Sequence, residues 1–251
     1  MKSLTLTIPC RSTREIKLSE CAADAQSVEL IVGSSAQVVC IDDREYTQDS
    51  LEFSFNCIVQ KNGQLLYCDQ RKFTMQAVVN SSIIFTAQQD SVIRFEQWQQ
   101  GGKKVKLVID AQLEGERSEI DMRCGARLTD DQKQEISTSQ LHQAPFTKSN
   151  CIIKAIVSGS ARSLYDGMIQ IVKAAQKSEA FQTHKAMLMS DEAYAYARPS
   201  LQVHADDVQC GHGSAIGQID DEQRDYLYAR GMDEDRVQSL LLDAFMEDLY
   251  L

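Results

Sequence analysis

Residues 151–172 read CIIKAIVSGSARSLYDGMIQIV, and their pattern decides what kind of protein this is. Two short apolar runs, CIIKAIV and MIQIV, flank the polar link SGSARSLYDG, which has the composition of a turn followed by a strand entry. The same unit continues downstream. AMLM begins near 186, LQVHA near 201 and AIGQI near 215, with starts roughly 14–18 residues apart and polar links such as DEAYAYARPS and DVQCGHGS. Upstream, SLTLTI, SVELIV, SLEFSFNCIV, KFTMQAVV, SIIFTA and KKVKLVIDAQL place apolar residues largely at period two, the signature of a half-buried strand. The region to about residue 160 contains no run of apolar residues at helical spacing. Short strands at steady spacing predict a sandwich, a barrel or a stacked β-solenoid. A hexapeptide solenoid is disfavoured, because no six-residue aliphatic–Gly pattern persists.

The last 32 residues change character. DDEQRDYLYARG (220–231) predicts a short helix with an acidic start and Gly231 at its left-handed close. DEDRVQSLLLDAFMEDLYL (233–251) predicts a second helix, N-capped by Asp233, with Val237, Leu240, Leu241, Ala244, Phe245 and Leu249 on one face. Asp235, Gln238, Asp243 and Glu247 lie opposite. Such a helix either packs on its own core or docks a partner.

Composition bounds function. The 251 residues are 43% hydrophobic and 25% charged, ordinary for a soluble globular protein. A net charge of −10 argues against a nucleic-acid binder or attachment to an anionic membrane. No run approaches a membrane-spanning helix, and LTLTI is too short for the core of a signal peptide, so the expected compartment is the cytoplasm. Reducing conditions there rule out a disulfide frame. Cys10, Cys21, Cys40, Cys57, Cys68, Cys124 and Cys151 are scattered and are each expected to be small buried hydrophobes. No G-x-x-x-x-G-K-[ST] loop is present, so any ATP is hydrolysed by another chain.

Cys210 stands apart, in DDVQCGHG (206–213). In an extended segment, side chains two apart share a face, roughly 6.5–7 Å apart at Cα, so Cys210 and His212 project together. Thiolate and neutral imidazole suit iron or zinc, yet two ligands do not close a tetrahedral site, which implies completion by another chain. Thiol catalysis is a second reading, with His212 as base and Asp206 or Asp207 orienting it. A polar turn is the third.

The wider stretch LMSDEAYAYARPSLQVHADDVQCGHGSAIGQIDDEQRDYLYARGM (188–232) resembles the C-terminal part of the SufB/SufD family, subunits of the SUF iron–sulfur cluster assembly scaffold. The matching residues are Ser190, Ala193, Pro199, Leu201, Val203, ADDV at 205–208, Cys210, His212-Gly213, Gly217, Asp220, Tyr226-Leu227 and Arg230-Gly231. GMIQIVKAAQKSEAFQ (167–182) and Ala244-Phe245 extend the match to roughly 165–245. D-D-V-x-C-x-H-G is the SufD-like form; SufB-like chains carry a His-Glu pair there. The resemblance implies a mainly β fold, a right-handed parallel β-helix core over 1–219 with a short C-terminal α-helical segment over 220–251. It implies a non-enzymatic SufD-like scaffold subunit that pairs edge to edge with a SufB-like chain through strands around 203–219. A SufC-like ABC ATPase would dock on Val237, Leu240, Leu241, Ala244 and Phe245. A transient iron–sulfur cluster would form at the subunit interface, with Cys210 and His212 as ligands. Two departures from the family accompany this: its usual N-terminal helical region is absent, and the chain stops after one long helix. A reduced chain of this kind could instead pair with itself as a minimal homodimeric scaffold.

Overall fold

A computed structural model describes residues 2–249; Met1 and the last two residues of the expected 220–251 segment lie outside the described residues. The chain opens with β1 (Ser3–Ile8), β2 (Thr13–Lys17), the one-turn helix α1 (Leu18–Cys21), β3 (Ser27–Val32), β4 (Gln37–Asp42) and β5 (Glu45–Tyr46). It continues through β6 (Ser50–Val59), β7 (Gln64–Asp69), β8 (Lys72–Phe73), β9 (Val78–Ala87), β10 (Val92–Gln99), β11 (Lys104–Leu113) and β12 (Glu119–Leu128). The remaining strands are β13 (Lys133–His142), β14 (Lys148–Val157), β15 (Arg162–Ile171), β16 (Glu179–Leu188), β17 (Tyr194–Val203) and β18 (Gln209–Gln218). Two helices follow, α2 (Asp221–Ala229) and α3 (Glu234–Met246), with a final 3₁₀ turn at Glu247–Leu249.

Alternate strands fall into two eight-stranded sheets, ordered β1-β3-β6-β9-β11-β13-β15-β17 and β18-β16-β14-β12-β10-β7-β4-β2. Every neighbouring pair is parallel, so the chain winds as a β-solenoid of about seven turns, two main strands to a turn. The steady half-turn spacing of the sequence is thus one strand plus one corner. Register offsets range from 24 residues (Ser3 beside Ser27) in the first turn to 32 (Arg162 beside Tyr194) in the last. Period-two alternation puts every second side chain inside, as in β6, where Leu51, Phe53, Phe55, Cys57 and Val59 are all buried.

The corners share one device. At one corner of successive turns a residue takes positive φ: Arg11, Ser35, Asn62, Asp90, Arg117, Phe146 and Lys177. Each is followed by a small residue or turn former, namely Ser12, Ala36, Gly63, Ser91, Ser118, Thr147 and Ser178. From residue 35 onward these followers tuck inside the coil.

The interior changes along its length. In the N-terminal half, rings fill it: Phe55 stacks on Tyr67 with centroids 4.1 Å apart, and Tyr67 on Phe95 at 5.4 Å. A buried ionic corner closes this half. Asp42 holds Arg44 through two 2.7 Å hydrogen bonds, and Asp69 holds Arg71 at 2.8 and 2.7 Å. Both guanidinium groups lie over the Phe53 ring, 5.0 and 4.1 Å from its centroid. In the C-terminal half the interior is smaller and more polar, with Ala126, Ala155 and Ala186 beside Thr138, Gln140, His142, Gln182 and His184.

Four of the seven scattered cysteines (Cys40, Cys57, Cys124 and Cys151) are buried, and Cys68 is half-buried. Cys10 and Cys21 correct the expectation: both are exposed, Cys10 at the first corner and Cys21 at the end of α1. Cys10 precedes the positive-φ corner residue Arg11, and in α1 it is Leu18 rather than Cys21 that enters the core.

Candidate functional site at the open end

The solenoid ends on β17 in one sheet and β18 in the other, and among the described residues no strand covers either. The consequence is visible in burial. On β16, Ala180, Gln182, His184 and Ala186 are buried, whereas their register partners on β18 (Cys210, His212, Ser214 and Ile216) are half-buried or exposed. On β17 the inward-row residues Leu201 and Val203 are likewise exposed. Cys210 and His212 therefore stand side by side on the unfinished rim of the core. Cys210 rests against Ile169, Ile171, Ala180 and Ala205, while His212 is in solvent.

Bare strand edges ordinarily carry charge that blocks further pairing. These do not: the residues of β17 and β18 include one charged side chain, Arg198, and it is paired with Asp166. Pro199, which cannot serve a central ladder position, is tolerated on such an edge. At the other end β2 reads TREIK, three charges in five residues.

Beneath the rim lies a polar group that the sequence did not disclose. The His184 ring stacks on Tyr165, centroids 5.2 Å apart and 6° from parallel, and its Nδ1 meets Ser214 Oγ at 3.3 Å. Tyr165 Oη joins Thr138 Oγ1 at 2.9 Å, with Gln182 Oε1 at 3.5 Å and Cys151 Sγ at 3.9 Å. Gly167 leaves this cluster its space, since a Cβ there would lie 2.5 Å from Tyr165 Oη and 2.6 Å from Gln182 Oε1. Burial holds the His184 imidazole down at about 4 and pushes the Cys151 thiol up to about 12, so both stay neutral. A lone histidine at period two carries no sequence signal; only its place under β18 marks it.

The other residues near Cys210 do not converge on it. His204 Nε2 lies 3.2 Å from Gln202, and Asp207 faces Lys177 at 3.5 Å. Among the described residues, no three His, Cys, Asp or Glu side chains are grouped to hold a metal, and no hydrogen bond joins Cys210 to His212.

Against the family of known proteins, the match is extensive. The SufBD core domain model of the SUF system for iron–sulfur cluster assembly fits residues 15–245. The chain belongs to the SufB/SufD family. Within it, the Escherichia coli (strain K12) iron-sulfur cluster assembly protein SufD is 32% identical over 149 residues, 59% of this chain and 35% of that protein. A SufBD family protein of Mycobacterium tuberculosis (strain H37Rv) is 29% identical over 149 residues, 59% of this chain and 18% of its own length. One from Synechocystis is 32% identical over 105 residues, 42% of this chain and 23% of its own. The SufBD core here thus spans a minor part of those longer relatives. No helix among the described residues is long and apolar enough to cross a membrane.

The C-terminal helices of this SufBD chain form a second feature. Asp220 caps α2 by accepting from Glu222 N at 2.9 Å, and Asp233 caps α3 by accepting from Arg236 N at 2.9 Å. α3 lies on the outside of the β18-containing sheet, where Leu242, Met246 and Leu249 pack with Ile156, Trp98, Ile152 and Met187. Lys154 of β14, only 3% exposed, donates through Nζ to the Phe245 carbonyl at 2.5 Å and lies 5.3 Å from that ring's centroid. The five expected docking residues therefore separate. Val237 is buried and Phe245 half-buried, while Leu240, Leu241 and Ala244 join Tyr226 and Leu227 of α2 around an open groove of about 490 Å³.

Proposed function

We propose that this chain is a SufD-like, non-enzymatic scaffold subunit of the cytoplasmic SUF machinery. Its open end pairs with a SufB-like chain, and Cys210 and His212 contribute ligands to a nascent iron–sulfur cluster, the cargo of the assembly. The observation that carries this reading is the unprotected terminal turn with a Cys-x-His pair on its rim. Thiolate and neutral imidazole are iron ligands, and as a pair they leave coordination positions for a second chain to fill. Pairing through β17 and β18 would satisfy the free backbone groups and bury Leu201, Val203 and Ile216. The groove between α2 and α3 then seats a SufC-like ABC ATPase on Leu240, Leu241 and Ala244, while the buried Val237 and the half-buried Phe245 support them from below.

A self-paired scaffold is the second reading, favoured by the near absence of charge on the rim, since two copies could meet there without repulsion. The thiol-enzyme reading lacks support in a Cys210–His212 contact. The test is cluster formation on the purified complex, followed by iron content and visible absorption. Cys210→Ala and His212→Ala should each lower cluster yield about tenfold or more, with the complex intact. Normal yield from both variants would remove the site assignment.

A further inference from the structure

The α2–α3 groove lies in the segment that carries most of the protein's net negative charge. Residues 220–251 contain ten acidic and three basic side chains, so this short segment carries −7 of the total −10. Asp220 and Glu222 line the groove itself, Asp225 and Asp243 are exposed on the same two helices, and Glu247 is exposed at the start of the 3₁₀ turn that follows α3. The counter-charges are Arg224, Arg230 and Arg236, of which Arg230 lies 5.1 Å from the Tyr226 ring centroid. The groove floor is apolar and uncovered: Leu240 is 44% exposed and Tyr226 58%. Its volume of about 490 Å³ has room for a few large side chains.

We propose that the groove receives an apolar ridge of a partner protein that is flanked by lysine and arginine, and that the acidic rim governs the rate of capture. The inference rests on the docking reading above and adds the chemistry of the occupant. An apolar patch alone would fix affinity once seated, but the segment's charge acts at distances up to a Debye length and draws a basic surface into register. The same charge turns away anionic lipid and nucleic acid. α3 is suited to hold such a contact, because its opposite face is anchored on β10, β14 and β16 through Trp98, Ile152, Ile156 and Met187.

The test is stopped-flow association of the full chain with the SufC-type ATPase of the same organism, at low and moderate salt. The wild-type association rate should fall about tenfold or more as NaCl rises from about 50 to about 300 mM, with dissociation little changed. The variant Asp220→Asn/Glu222→Gln/Asp243→Asn/Glu247→Gln, which keeps a capping side chain at 220, should start about tenfold slower and show a flatter salt dependence. Tight binding with a salt-independent rate, equal in wild type and variant, would overturn the electrostatic inference and leave the docking reading standing. No binding by the wild type at any salt would overturn both.

Discussion

His142 and His184 are buried imidazoles whose proton affinity in the fold is pressed down from 6.5 to about 4 by desolvation. His142 is fully engaged, with Nδ1 at 2.7 Å from Thr147 Oγ1 and Nε2 at 2.8 Å from Ser149 Oγ. Because the unfolded chain takes up these protons first, the stabilisation is complete above about pH 6.5 and is lost as pH falls toward 4. The loss is on the order of 3 kcal/mol per histidine at most. Urea midpoints should therefore drop between pH 7 and 4.5, and drop less in His184→Gln; an equal drop would remove His184 from the account. The ionic corner gives a second residue-scale expectation. Asp42→Ala strands Arg44 and leaves Arg71, 3.6 Å away, with Asp69 alone, at a cost of about 3–5 kcal/mol in urea unfolding. At this scale legibility was uneven. Cys210 and His212 could be singled out as candidates because glycines and a family pattern frame them. The steps Asp42-x-Arg44-x-Tyr46 and Asp69-x-Arg71-x-Phe73 passed unnoticed, since charged residues in a polar link read as surface until the strands stack them.

At the scale of elements, α3 shows why a hydrophobic stripe does not name its partner. Leu240-Leu241-Leu242 makes the helix apolar on more than one side, and only the fold decides that Leu242 and Met246 turn to the solenoid while Leu240 and Leu241 turn away. Leu240→Asp should abolish ATPase co-purification and shift the unfolding free energy of the isolated chain by no more than about 0.5 kcal/mol. Val237→Asp, buried, should cost stability instead. Docking of the C-terminal segment also needs Gly125, where a Cβ would lie 2.5 Å from Leu249 Cδ1 and 2.6 Å from Trp98 Cε3. Trp98 is the chain's single tryptophan, so its emission reports this contact. Gly125→Val should red-shift that emission and destabilise by about 1–3 kcal/mol; unchanged fluorescence would place the segment elsewhere.

For the whole molecule, the alternation of single strands was plain in the sequence, but the winding was not. Two features hid the repeat. Each turn contains two similar strands, which halves the apparent period, and the left-handed corners are held by Arg, Ser, Asn, Asp, Phe and Lys rather than by a recurring glycine. The parallel β-helix was thus reached through family resemblance, with the residues alone leaving a sandwich open. What the winding creates is an asymmetric rod, charged on β2 at one end and nearly uncharged on β17 and β18 at the other. Ile216→Lys, on that exposed rim, should leave the isolated chain as stable as wild type within about 0.5 kcal/mol and prevent subunit pairing. The most direct measurement is the native mass of what forms when this chain is co-expressed with SufB-like and SufC-like proteins of the same organism. The predicted result is a complex that holds one copy of this chain, one SufB-like chain and the SufC-like ATPase. Elution of this chain alone, with its open end unpaired, would contradict it.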